Sequence, residues 1–446
     1  MVASANPITS YIPAENVRKE DNKLRPEDRP AHDWYRFVLS FPPHLVRQYI
    51  ERFGIHAGQL VLDPFCGTGT TLVECKKLGI RSVGIEANPI ACFASQVKTD
   101  WTVNGASLLE HARGIAELTL ARLEDEGLED EPKPPLFRIR RKTSPRLRTL
   151  PEETSKLLLS ASISPLPLHK TLSLLGTMEE RKEERFAGHE RLALAKALLS
   201  GISNVEFGPE VGVGPAKADA PVISPWLRCV ESVAEDLKKL RPQAAVPAKV
   251  YRADSRRLRG VLKPRSVDTV ITSPPYPNEK DYTRTTRLES VLLGFIRDKQ
   301  DLRMLKSHLV RSNTRNVYKG DCDDEAVAEN KEVQQIAAAI EKRRKELGKT
   351  SGFERLYARV TKLYFGGMAR HLSELREILR PGAHLAYVVG DQASYLRIMI
   401  RTGQLLANIA ASLGYEVLGV DLFRTRLATA TREQLREEIL LLRWPR

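Results

Sequence analysis

The most pointed chemistry in this 446-residue chain lies in five consecutive residues, Thr272-Ser273-Pro274-Pro275-Tyr276. They close the run Ser266 to Ile271, whose β-branched and apolar residues read as a buried strand. Two consecutive prolines end such a strand, because proline has no N–H and fixes φ. The carbonyls beside them have no ladder to join and face the space beyond the strand end, where open parallel α/β sheets bind ligands. A hydroxyl, a carbonyl and a ring in one stiff turn can hold a planar, amine-bearing ring by its edge and face. A strand-ending turn with a packed tyrosine is the plainer alternative.

A second turn supports the ligand-binding reading. Asp63-Pro64-Phe65-Cys66-Gly67-Thr68-Gly69-Thr70-Thr71 follows the apolar run Gln59 to Leu62 and precedes a helix-like stretch, Leu72 to Leu78. Strand, glycine turn and helix let backbone approach a nucleotide-like ligand, with N–H groups of the helix end facing it. Roughly twenty residues on, the strand Arg81 to Ile85 ends at Glu86, where sheets of this kind hydrogen-bond ribose hydroxyls. The glycines lack both the Gly-x-Gly-x-x-Gly spacing of dinucleotide sites and a phosphate-loop lysine. A ligand with ribose and no phosphate fits better, and S-adenosylmethionine is the common one.

Together, Asp-Pro-Phe-Cys-Gly-Thr-Gly-Thr-Thr and Thr-Ser-Pro-Pro-Tyr resemble the paired signature motifs of S-adenosylmethionine-dependent amino-methyltransferases. More narrowly, they resemble the bacterial and archaeal DNA enzymes that modify cytosine N4 or adenine N6. The resemblance implies that Asp63, Pro64, Phe65, Cys66, Gly67, Thr68, Gly69, Thr70 and Glu86 form the cofactor site, with Asp254 near the cofactor adenine. A helix N-cap is an alternative role for Asp254. It also implies that Ser273, Pro274, Pro275 and Tyr276 hold the target base, flipped out of its duplex. Tyr282 is then a candidate for the opposite wall. Arg284 and the basic residues Arg138, Arg140 and Arg141 are candidates for the base pocket or for DNA.

In this family, serine at the first position of the tetrapeptide goes mostly with cytosine N4, and aspartate or asparagine with adenine N6. Cytosine N4 is therefore the expected target and adenine N6 the alternative. Cytosine C5 chemistry needs a cysteine after a proline, and the chain has no Pro-Cys pair. An RNA amine and a non-catalytic DNA-binding subunit are the remaining alternatives. The implied partner is double-stranded DNA, with a cognate restriction endonuclease as a second.

The elements that must position these turns fall into two kinds. Strands are expected at 60–64, 81–86, 249–253, 267–272, 384–390, 416–422 and 438–444, the last two as an antiparallel hairpin. This predicts an α/β fold: a seven-stranded Rossmann-like methyltransferase sheet with helices on both faces and a large, mostly helical insertion. Its catalytic core would comprise 32–101, 247–296 and 357–446. Aromatic residues from Trp34 to Phe41 lie where the family covers the methionine end of the cofactor, and a ring face attracts a sulfonium. A core helix is the other reading of that segment.

Two intervals interrupt the alternation. Residues 102–246 are too many for a loop. They contain a helical stretch (Leu108 to Leu123), a segment from Lys133 to Arg148 with seven Lys or Arg and no acid, and a glycine- and proline-rich loop from Phe207 to Pro221. This interval is the expected target-recognition region. Residues 297–356 form a second basic insertion, with a charged helix from Lys331 to Leu347, polar on most of its surface, for which a solvated face is the default reading. Residues 1–31 read as a loose arm.

The 70 Lys and Arg outnumber the 56 Asp and Glu, and the net charge of +14 favours a polyanionic partner. Five cysteines without Cys-x-x-Cys spacing argue against a disulfide framework or a zinc site, so no metal is expected. No apolar run reaches membrane-spanning length and Met1 to Pro13 lacks a signal pattern, so a cytoplasmic, nucleoid-associated protein is expected.

Overall fold

A computed structural model of the chain describes residues 11–13, 24–37, 40–131, 146–208, 210–277, 281–427 and 434–445. The strands in chain order are β1 (Tyr11–Pro13), β2 (Leu60–Asp63), β3 (Arg81–Ile85), β4 (Val205–Phe207) and β5 (Val211–Val213). They continue with β6 (Ala248–Tyr251), β7 (Val267–Thr272), β8 (Leu379–Gly390), β9 (Glu416–Leu427) and β10 (Gln434–Arg443). Eight of them form one sheet in the order β1-β9-β10-β8-β7-β2-β3-β6. All seven expected strands are in it, and β9 and β10 pair antiparallel as the short connection requires. The fold is α/β, with helices on both faces of the sheet.

The eighth strand is a correction to the loose-arm reading. Tyr11–Pro13 adds a parallel edge strand along Val420–Leu422, which a three-residue stretch ending in proline does not announce. At the other end of that segment, Asp28 and Ala31 are buried. Arg47 bridges Asp28 to Glu74, and His32 Nε2 lies 2.7 Å from Glu74.

Successive residues of the central strands point into different apolar clusters, so both faces of the sheet are covered. Val61, Val388 and Leu441 pack with Leu45, Tyr49 and Cys75 on one side. Leu62, Val389 and Leu440 pack on the other with Tyr364, Met368 and Leu372, from the helix Tyr357–Ile378. A third cluster belongs to the long helices Gly105–Asp125, Pro165–Glu180, Glu184–Ala197 and Ile223–Leu240. It takes in Trp34, Trp101 and Trp226, so this helical region is packed onto the sheet layers. The expected loop from Phe207 onward is instead partly a hairpin, β4 with β5. The charged helix Lys331–Glu346 keeps the expected solvated face and buries Val333, Ala337 and Ile340 on the other.

Candidate active site

Strands β2 and β7 are parallel neighbours, with Val61 opposite Thr269 and Leu62 opposite Val270, so their carboxyl ends lie side by side. Side chains tie the two turns that leave them. Thr272 Oγ1 donates to Asp63 Oδ1 at 2.6 Å, Phe65 N donates to the same oxygen at 3.1 Å, and Thr71 Oγ1 donates to the Ile271 carbonyl at 3.2 Å. Asp63 is fully buried, and burial pushes its carboxyl up to about 6. It braces both turns rather than lining open space.

The glycine turn lies along the end of β3. Cys66 N donates to the Ile85 carbonyl, and a Cβ on Gly84 would come within 2.7 Å of Cys66 Sγ. Gly67 and Gly69 have φ of 51° and 86°, the left-handed region that favours glycine. A Cβ on Gly69 would strike Ser95 Oγ, whereas one on Gly67 would meet nothing within 4 Å. Glu86 is gripped by this turn: Gly67 N donates to Oε2 at 2.8 Å and Asn88 N to Oε1 at 2.7 Å. Desolvation outweighs those hydrogen bonds and pushes Glu86 up to about 7.

Both turns open into one cleft of about 1540 Å³, counting the part open to solvent. Pro64, Phe65, Cys66, Gly67, Thr68, Thr70 and Glu86 line it from the first turn, and Ser273, Pro274, Pro275 and Tyr276 from the second. Tyr282 lines it as well, its ring 6.0 Å from that of Phe37. The Ser273 hydroxyl donates to the Val388 carbonyl at 3.3 Å, so toward a ligand this oxygen is an acceptor. Tyr276 packs against Gly390, where a Cβ would come within 2.8 Å of two ring carbons.

Two comparisons bear on this arrangement. Residues 10–96 match the family model described as DNA methylase. The Type II methyltransferase M.BsoBI of Geobacillus stearothermophilus is 26% identical over 91% of this chain and 83% of its own. Over nearly its whole length the chain is thus similar to a Type II methyltransferase. The Type II methyltransferase M.AvaI of Nostoc sp. is 25% identical over 94% of this chain and 87% of its own length. A shorter likeness, 40% over 65 residues, is to the tRNA (guanine(10)-N2)-dimethyltransferase of Methanothermobacter thermautotrophicus.

Some expected methylase residues stand elsewhere. The Asp254 carboxylate is taken by Arg256, whose Nη2 lies 2.6 Å from Oδ2 and which also bridges to Asp323, so Ala253 and Ser255 line the cleft instead. The backbone N–H of Arg256 also donates to Asp254 Oδ1, which gives the aspartate a local turn-capping role. Arg284 is half-buried and lies outside the cleft lining. Arg138, Arg140 and Arg141 lie outside the described residues.

Other cleft residues were not legible in the sequence. Ser255 is held by His371: a carbonyl can only accept, so Nδ1–H donates to it at 2.9 Å while the Tyr387 hydroxyl donates to Nε2 at 2.7 Å. Burial pushes His371 down to about 4, which keeps the ring neutral, and Phe65 packs edge-on to it. His308, Leu309, Val310, Ser312 and Asn316 enter from the second insertion, and the ion-paired Arg424 and Glu437 from the last hairpin. Among the described residues, no group of three or more His, Cys, Asp or Glu is placed to hold a metal, and no helix is long and apolar enough to cross a membrane.

Proposed function

We propose that this chain is a DNA methyltransferase that moves a methyl group from S-adenosylmethionine to an exocyclic base amine, cytosine N4 ahead of adenine N6. The observation that carries the reading is the position of Ser273, an oxygen acceptor with its own proton committed to Val388, in the same cleft as Gly67 and Glu86. The residues suit S-adenosylmethionine. Backbone at Gly67 leaves open space where a side chain would stand, and Thr68 Oγ1 is buried in the cleft lining without a hydrogen-bond partner among the described residues. The Glu86 carboxylate, already fixed by two N–H groups, keeps lone pairs for a pair of ribose hydroxyls.

S-adenosylmethionine supplies an electrophilic methyl group on a sulfonium. Everything else falls to the chain. Phe37 and Phe41 offer aromatic carbon to a cation in the cleft. An exocyclic amine is a weak nucleophile because its lone pair is delocalised into the ring. The Ser273 oxygen and the Pro274 carbonyl accept its two hydrogens, favour a tetrahedral nitrogen and free the lone pair without a strong base. Tyr276, seated on Gly390, gives the base a stacking surface, and in-line alignment supplies much of the rate.

DNA is favoured over RNA because the likeness to Type II methyltransferases runs through nine-tenths of the chain, whereas the tRNA enzyme matches only 65 residues. The reading assigns residues 102–246 to target recognition and 297–356 to a second insertion beside the core. The reading extends to a restriction-modification or genome-modification role, with a cognate restriction endonuclease as a second partner and a place at the nucleoid. Nucleoside mass spectrometry of DNA from cells expressing the gene tests the reading. N4-methylcytosine is expected; N6-methyladenine alone would overturn the cytosine choice, and neither base would overturn the activity.

A further inference from the structure

The segment between Leu305 and Asp321 is stiffened more than a surface insertion requires. Arg311, 3% exposed, donates to both carboxylate oxygens of Asp321 at 2.8 and 2.7 Å, and to the carbonyls of Lys306 and Leu309 at 2.6 and 2.5 Å. Arg359 reaches the carbonyls of Tyr318, Lys319 and Asp321 at 3.1 to 3.2 Å. Lys306 ties the loop to the opposite wall: its ammonium lies 3.3 Å from the Arg315 carbonyl and 3.8 Å from Asp281, which caps the helix that begins at Tyr282.

This loop carries Asn316 into the cleft lining. Asn316 is 2% exposed, and its side-chain Oδ1 has no hydrogen-bond partner among the described residues. A buried amide held by a braced loop and left unpaired is a standing cost that a ligand removes. A primary amide presents an acceptor beside a donor, which matches a ring nitrogen next to an exocyclic amine. Cytosine offers that pair at N4 and N3, and adenine at N6 and N1.

Resting on the methyltransferase reading, we propose that Asn316 recognises an amidine edge of a nucleobase in this cleft, the amide oxygen accepting from the amine and the amide nitrogen donating to the ring nitrogen; on the target base the amide oxygen would take the place of the Pro274 carbonyl as acceptor of one of the two amine hydrogens. Two sources carry such an edge, the target base and the adenine of the cofactor. The wild-type protein, Asn316→Ala and Asn316→Asp are compared in two arms: calorimetric titration with S-adenosylmethionine alone, and kcat/KM for methylation of plasmid at saturating cofactor.

A loss of about ten- to a hundred-fold is expected in one arm with the other within twofold. The arm that moves names the source. Asn316→Asp, which keeps the acceptor and loses the donor, is expected between the other two. Unchanged values in both arms, or equal losses accompanied by a lowered Tm, would overturn the inference. A wild-type protein that neither binds cofactor nor methylates DNA would overturn the methyltransferase reading instead.

Discussion

Ser273 separates chemistry from binding. Ser273→Ala deletes the acceptor and leaves Gly67, Glu86 and the aromatic wall in place, so kcat is expected to fall about 10²- to 10³-fold with the Kd for S-adenosylmethionine within twofold. Single-turnover methylation and calorimetry check the split, and an equal loss of both would remove Ser273 from the reacting centre. Glu86 gives the complementary result. Its folded value, about 7, lies above the ordinary carboxylate range, so its contribution to fold stability is present at low pH and lost as pH rises through 7. Binding runs the other way, because the carboxylate is the form with lone pairs for hydroxyls. Cofactor affinity should therefore rise from pH 6 to 8 and then level, and Glu86→Gln should bind weakly with that slope gone. Both residues were legible in the sequence, since a turn motif fixes local geometry. Asp254 was not: its partner Arg256 also holds Asp323, sixty-seven residues on, and no local pattern carries that contact.

Strand ends and helix faces carry the next level. Strands β2, β3, β7 and β8 were legible because each is a short β-branched or apolar run bounded by turn residues. The edge strand β1, the hairpin of β4 with β5 and the cleft-lining stretch 308–316 were not. Their positions come from pairing or packing with distant segments, and their residue types carry no period. Two glycines show how close these approaches are. Gly366, inside the helix Tyr357–Ile378, lies under the Asp323 carbonyl, and a Cβ there would overlap that oxygen. Gly366→Ala should destabilise the fold by about 1–3 kcal/mol, read as a lowered midpoint in urea. Gly390→Ala should do something different: it pushes the Tyr276 ring off its seat, and kcat/KM should drop about tenfold or more for a misplacement of a few tenths of an ångström to 1 Å, with little change in Tm.

At the scale of the whole molecule, the charge excess and the cleft act together. If duplex DNA is the substrate, the apparent Kd should weaken by about 10³-fold or more between 50 and 200 mM salt, as expected for several phosphate contacts. A filter-binding series reads this directly, and a flat response would argue against a polyanion. The +14 charge was legible from composition, whereas the surface that presents it depends on how the helical region packs against Trp34 and Trp101.

The sheet order also has a consequence for biosynthesis. Strand β10 is the last of the ten to emerge from the ribosome, yet it sits between β8 and β9 rather than at a rim. Until it slots in, β8 offers a bare flank to any neighbouring polypeptide, and Arg424 still lacks Glu437. A chain made to two-thirds of its length has both signature turns already synthesised and still holds no finished cleft. Chaperone protection is thus needed most until β10 has been made, and a frameshift just ahead of Gln434 should be as damaging as one ahead of Leu60.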